Sequence, residues 1–202
     1  MTRQPPGRKR RIRSVVSTAI MGFVGAGALV CGLATAASAT LPAGTVVKAQ
    51  LKTGTDLVFN GDIDSIPITV TCTKFSASGK VPATASDTVK LSAPPTFSGC
   101  TDNSGGTDTI TTTGTWKLSE TSTTQTLKIP QDGATFKSSI LSGCTITVAP
   151  TGAAKVKGAY NDSNTDTVTN APIPTSGSGC TSTTATATGT IVEKPAPGPP
   201  PF

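Results

Sequence analysis

Histidine is absent from this chain, and that gap removes the commonest routes to nucleophilic catalysis. A Ser-His-Asp or Cys-His arrangement needs an imidazole to take the proton, and none can be built. Arginine stops at Arg13. Nothing after it reads as a basic stripe, so the electrostatic footprint expected of a nucleic-acid partner is missing. A zinc site is a competing reading of the cysteines, disfavoured because no C-x-x-C pair and no His is present to complete a tetrahedral set. Beyond residue 39 there is no S-x-x-K for Ser-Lys chemistry, no phosphate-binding Gly loop and no amphipathic helix. Charged residues make up only 14% of the chain and aromatics 4%, so any core must be lean.

What is present begins with an export signal. Arg3, Arg8, Lys9, Arg10, Arg11 and Arg13 precede an apolar run from Val15 to Leu33, which ends in Ala37-Ser38-Ala39. Basic start, apolar middle and small-x-small end are the three parts of a secretory signal peptide, with cleavage expected after Ala39. A retained membrane anchor is the competing reading, since the run is long enough to span a bilayer. Lipidation at Cys31 is disfavoured by the bulky Val30 before it. A twin-arginine signal is weakened by Arg13, which stands where that motif wants an apolar residue. Cleavage changes the charge balance. Taking the six basic residues before Val15 from seventeen leaves eleven lysines against eleven acids, so the mature chain is near neutral.

The mature chain is rich in Thr, Ser, Gly and Ala. Low hydrophobicity with high net charge favours disorder, but here the charge is balanced and the apolar residues come in short alternating clusters, as strands require. Four cysteines remain: Cys72, Cys100, Cys144 and Cys180. In an exported chain they read as two disulfides, with three pairings open in principle.

An internal duplication narrows the choice. Gly44-Thr45, Leu57-Val-Phe59 and Asp62 recur as Gly114-Thr115, Leu127-Lys-Ile129 and Asp132, all displaced by 70 residues. Further landmarks follow in order: Cys72-Thr73 with Cys144-Thr145, Asp87-Thr-Val89 with Asp166-Thr-Val168, Cys100 with Cys180, and Gly114-Thr115 with Gly189-Thr190. The Ser-Gly-Cys-Thr frame at Cys144 is then a local coincidence, while those at Cys100 and Cys180 correspond. One bridge per repeat, Cys72–Cys100 and Cys144–Cys180, is the expected framework. Two copies make a pseudo-twofold unit and not a solenoid.

Strands are expected at 45–51, 56–60, 67–75, 88–92, 107–118, 126–129, 145–149, 165–169 and 185–192, separated by Gly, Pro, Asn and Asp clusters. That spacing predicts an all-β fold, an antiparallel sandwich or barrel. The organisation expected is a signal peptide at 1–39, β repeats at 40–113 and 114–194 packed together, and a Pro-rich tail at 195–202. Trp116 falls on the apolar face of its strand with Ile110 and Leu118, and reads as core.

Candidate chemistry is thin. Asp62 and Asp64 could be a carboxylate pair for a hydrolase, but they flank a turn signal and Asp62 matches Asp132 in the duplication. The oxygen-rich stretches 102–108 and 161–166 invite calcium, yet neither has the ligand ladder of an EF-hand, and both suit ordinary turns. No catalytic residue, cofactor or metal is expected. The whole chain is similar, in composition and export signal, to the small Thr/Ala/Gly-rich exported β proteins of high-GC Gram-positive bacteria. That resemblance implies an envelope or extracellular location and no particular activity. The function expected is a non-catalytic secreted or cell-surface β protein acting by surface contact, with no membrane span after signal cleavage. The alternative is a secreted inhibitor, working through a disulfide-framed loop at 93–100, or a small-ligand carrier.

Overall fold

The structure, a computed structural model, describes residues 44–80, 88–121, 123–161 and 164–195. The expected signal peptide, and the expected tail beyond Pro195, lie outside them. Strict alternation builds the elements. In β11 (Ala154–Asn161) Ala154, Val156, Gly158 and Tyr160 point inward, while Lys155, Lys157, Ala159 and Asn161 point to solvent. The other strands are β1 (Val46–Leu51), β2 (Leu57–Ile63), β3 (Ile66–Lys80), β4 (Thr88–Leu91), β5 (Thr96–Asp102), β6 (Thr107–Thr112), β7 (Lys117–Glu120), β8 (Thr124–Ile129), β9 (Ala134–Ser138), β10 (Thr145–Val148), β12 (Thr165–Ser178) and β13 (Thr184–Pro195). All belong to one antiparallel 13-stranded sheet. Among the described residues no helix is long and apolar enough to cross a membrane.

The sheet closes on itself, and it does so twice. One circuit runs β5, β3, β2, β13, β12, β10, β9, β6 and back to β5. The other runs β3, β1, β13, β12, β11, β8, β7, β4 and back to β3. The long strands β3, β12 and β13 belong to both and join them into two stacked tiers. Closure removes the unpaired edges that open sheets must protect.

Both disulfides lie in the first circuit, the disulfide tier. Cys72 and Cys100 face each other across β3 and β5 with Cα atoms 3.9 Å apart. Cys144, at the entry to β10, is bridged to Cys180, just past the end of β12. The pairing is the one expected from the duplication, and two bridges are consistent with an oxidising environment. No bridge joins two strands of the second circuit to each other.

Several local expectations need correction. The strand expected at 107–118 breaks into β6 and β7. Gly114 between them has φ +74° and packs against Pro130, a left-handed conformation only glycine adopts freely. Trp116 is buried as expected, its indole N–H donating to the Thr113 carbonyl at 2.9 Å. The stretch 93–100 is not a free loop: Pro95 is fully buried, and β5 runs between β3 and β6. Strands β5, β9 and β11 were not expected at all. β12 continues beyond the strand expected at 165–169 and, after a register shift between Val168 and Ala171, runs through Ala171-Pro-Ile-Pro174. The Thr175 N–H bonds to the Thr183 carbonyl, so alternate residues send their N–H groups away from β13. Pro172 and Pro174 occupy those alternate positions, over a stretch where β11 has ended and β10 has not begun, so no ladder bond is lost. Pro195 likewise ends β13 opposite Val47 instead of starting the tail.

The largest correction concerns charge. All eleven lysines between Lys48 and Lys194 are exposed, whereas Asp102, Asp108, Asp166 and Glu193 are buried. The near-neutral sum conceals a cationic exterior around an acidic interior.

Candidate functional site

The closed sheet encloses a cavity of about 160 Å³ to which every strand contributes. Its wall is apolar: Val70, Phe75, Leu91, Trp116, Ile129 and Val156 are typical. The second circuit, the lysine tier, contributes Gln125, Asp166 and Glu193 to the lining at 3%, 5% and 6% exposure, and Asn60, Asp62, Ser78, Thr175 and Ser182 are its other polar members.

Strand phase puts them there. Glu193 follows Ala185, Ala187, Gly189 and Ile191 at two-residue steps along β13, and Asp166 is in phase with Val168 on β12. Asp166 stands opposite Tyr160 on one side and Ile191 on the other. Gln125 on β8 faces Gly158 on β11. A side chain at Gly158 would run into the Asp166 carboxylate, so that glycine makes room for the acid.

The hydrogen bonds are unequally shared. The Gln125 Nε2 group donates to Glu120 Oε1 at 3.0 Å and to Glu193 Oε1 at 2.5 Å, which uses both of its N–H groups. Asp166 Oδ1 is buried and has no partner. Burial raises the Asp166 carboxyl to about 7, helped by the charge of Glu120. Burial also raises Glu193, reinforced by its hydrogen bond with Glu120 and the charge beside it. Across the same tier Val47, Val89 and Leu118 form an apolar cluster with Leu127. The cavity thus has a greasy side and a carboxyl side.

A second acid pair lies in the disulfide tier. Asp102 accepts from the Ser104 and Gly106 amides at 2.8 and 2.9 Å and from the Ser138 hydroxyl at 2.6 Å. Burial pulls its pKa upward, but these bonds outweigh burial and hold it below the usual value. Asp108, opposite Ser138, has neither oxygen partnered and is pushed up to about 6 by burial and by the Asp102 charge.

Of the residues singled out in the sequence, Asp62 reaches the rim of the cavity lining and Asp166, from the 161–166 stretch, turns into it, while Asp64 and Asp132 lie outside. Asp62 and Asp64 are exposed at the β2–β3 hairpin, where Asp64 accepts from the Thr181 amide and hydroxyl, both at 2.7 Å, which lowers its pKa. Asp132 is exposed in the β8–β9 turn with φ 51°. In the 102–108 stretch Asp102 caps its own turn. In the 161–166 stretch Asn161 accepts from the Thr165 amide and Asn164 from the Tyr160 hydroxyl, while Asp166 turns inward. Among the described residues no group of three or more His, Cys, Asp or Glu is placed to hold a metal ion. The signal that marks Asp166 and Glu193 is their phase: each is an acid at an inward step of an alternating strand. No family model, curated protein or solved structure matches the chain.

Proposed function

We propose that the chain is a non-catalytic exported carrier whose closed sheet holds one small molecule with an apolar body and a cationic head. The observation that carries this reading is the unpartnered, buried Asp166 oxygen facing an apolar cavity. Ionised, that carboxylate is costly without a counter-charge. An ammonium group on the ligand supplies it, while the aliphatic and aromatic wall takes the rest. A cavity of about 150 Å³ admits a molecule the size of benzene, which sets the scale of the ligand. Export follows from the signal segment and is supported by the two bridges.

Benzylamine and toluene share one apolar body and differ in the head, so they test the reading directly. By NMR titration at mildly alkaline pH, benzylamine is expected to bind more tightly, and Asp166→Asn to remove its advantage while leaving toluene unaffected. Failure of both probes to bind at millimolar concentration would sink the carrier reading. Equal binding of the two, unmoved by the substitution, would sink the role of Asp166.

The duplication belongs to the same proposal, in an altered frame. Laid in order, β1, β2, β3, β4 with β5, and β6 with β7 have the pairing partners of β8, β9, β10 with β11, β12, and β13. The second copy then starts at β8 and not at Gly114. In both copies the bridge ties the same pair of elements, β3 to β5 and β10 to β12, at different heights. A second mode of action, by surface contact, is favoured by the exposed lysines.

A further inference from the structure

The lysines of the second circuit are in register. Lys80 on β3 stands opposite Lys90 on β4, Lys90 opposite Lys117 on β7, Lys117 opposite Lys128 on β8, and Lys128 opposite Lys155 on β11. Residues facing each other across a ladder share one face of the sheet, and strands lie about 4.8 Å apart. The five ammonium groups therefore make a row about 19 Å long running across the strands. The row continues the other way round. Lys48 on β1 is opposite Lys194 on β13, and also opposite Ser78, two residues from Lys80. Of the strands in this circuit only β12 lacks a lysine.

Like charges directly opposite one another oppose sheet formation, so this arrangement is a cost the fold carries. The exposed acids Asp56, Asp62, Asp64 and Asp132 sit in or beside turns, and among the described residues no lysine is within ion-pair distance of an acid.

We infer that this girdle is a docking surface for a flexible linear polyanion bearing phosphate groups along its length. The row bends around the closed sheet, so a flat membrane would meet only part of it, whereas a flexible polymer can follow it. Lysine acts on phosphate as a point charge and demands no fixed orientation, which suits a repeating, non-specific ligand. The described surface exposes Val46, Ile66 and Ile140 as its large apolar side chains and no aromatic ring, so it offers no platform on which nucleic-acid bases could stack.

Long-chain inorganic polyphosphate is the probe, titrated against the mature chain over a range of salt. Neutralising five to seven phosphates gives a log–log salt slope of about −3.5 to −5. Lys117→Gln with Lys128→Gln is expected to weaken binding about tenfold at low salt while raising the melting temperature. Lys137→Gln, on β9 outside the girdle, leaves both unchanged. Three results overturn the inference: no salt-dependent binding, binding indifferent to the girdle variants, or tighter binding to oligothymidylate or to anionic phospholipid vesicles than to polyphosphate.

Discussion

The two tiers share three strands and one interior yet solve the problem of a lean core differently. The disulfide tier is cross-linked twice and keeps its aromatic rings together, with Phe97 packed 5.3 Å from Phe75 and 5.9 Å from Phe59 between ring centroids. The lysine tier has no covalent link between its own strands, crowds like charges outside and buries acids inside. Covalent stabilisation is thus concentrated in one tier and like-charge crowding on the outside in the other, while each tier buries acids in its interior.

Removing a bridge tests the contrast most severely. Cys72→Ala with Cys100→Ala is expected to cost about 3–4 kcal/mol in chemical denaturation; a cost below about 1 kcal/mol would mean the bridges are not the scaffold. Asp166→Asn comes next. At pH 9 it is expected to stabilise the fold by about 1–3 kcal/mol, because an unpartnered buried charge is removed. At pH 5, where the acid is already protonated, the gain should vanish.

The wild-type pH profile follows from the same groups. Asp108, Asp166 and Glu193 have raised pKa values. Between about pH 4 and 9 the folded chain therefore binds more protons than the unfolded one, and stability falls as pH rises. Asp64 and Asp102 have lowered values, and their contribution is lost as pH falls below about 4. Thermal melts should peak in mild acid, and a peak at pH 8 or above would refute the assignment. Smallest is Lys117→Gln, expected to stabilise by about 0.2–1 kcal/mol by relieving repulsion from Lys90 and Lys128. Destabilisation there would mean that the lysine stems contribute more by packing than their charges cost.

Legibility in the sequence tracked the range of the cause. Alternation is local, so Trp116 and most strands could be read directly. The disulfide pairing was anticipated from landmarks around the cysteines that read as a duplication, and the two bridges formed are the pair so expected. β11 was hidden by inward steps that include Ala154 and Gly158, which leave its alternation with little apolar contrast, and β9 by a short sequence whose pairing comes from distant β6. The girdle was invisible for the same reason. Lys80, Lys90, Lys117, Lys128 and Lys155 lie far apart in the chain, and only register across five strands brings them into line. The inward acids carried a local signal, the phase of Glu193 with Ile191, but an acid near a strand end reads more naturally as its polar terminus.

The position of β13 has a consequence for how the molecule comes into being. It pairs with β1 and β2 from the start of the described chain and with β12 beside it, so both circuits pass through it. A chain emerging with its N-terminus first, from a ribosome or through a membrane pore, can form hairpins as it appears. It cannot shut either ring until residues 184–195 are out. Until then β1 and β2 keep open edges, the condition in which strands recruit other chains. β13 is the keystone that sets the last and most non-local step of folding, and truncation before it should leave an assembly-prone sheet and not a smaller stable protein.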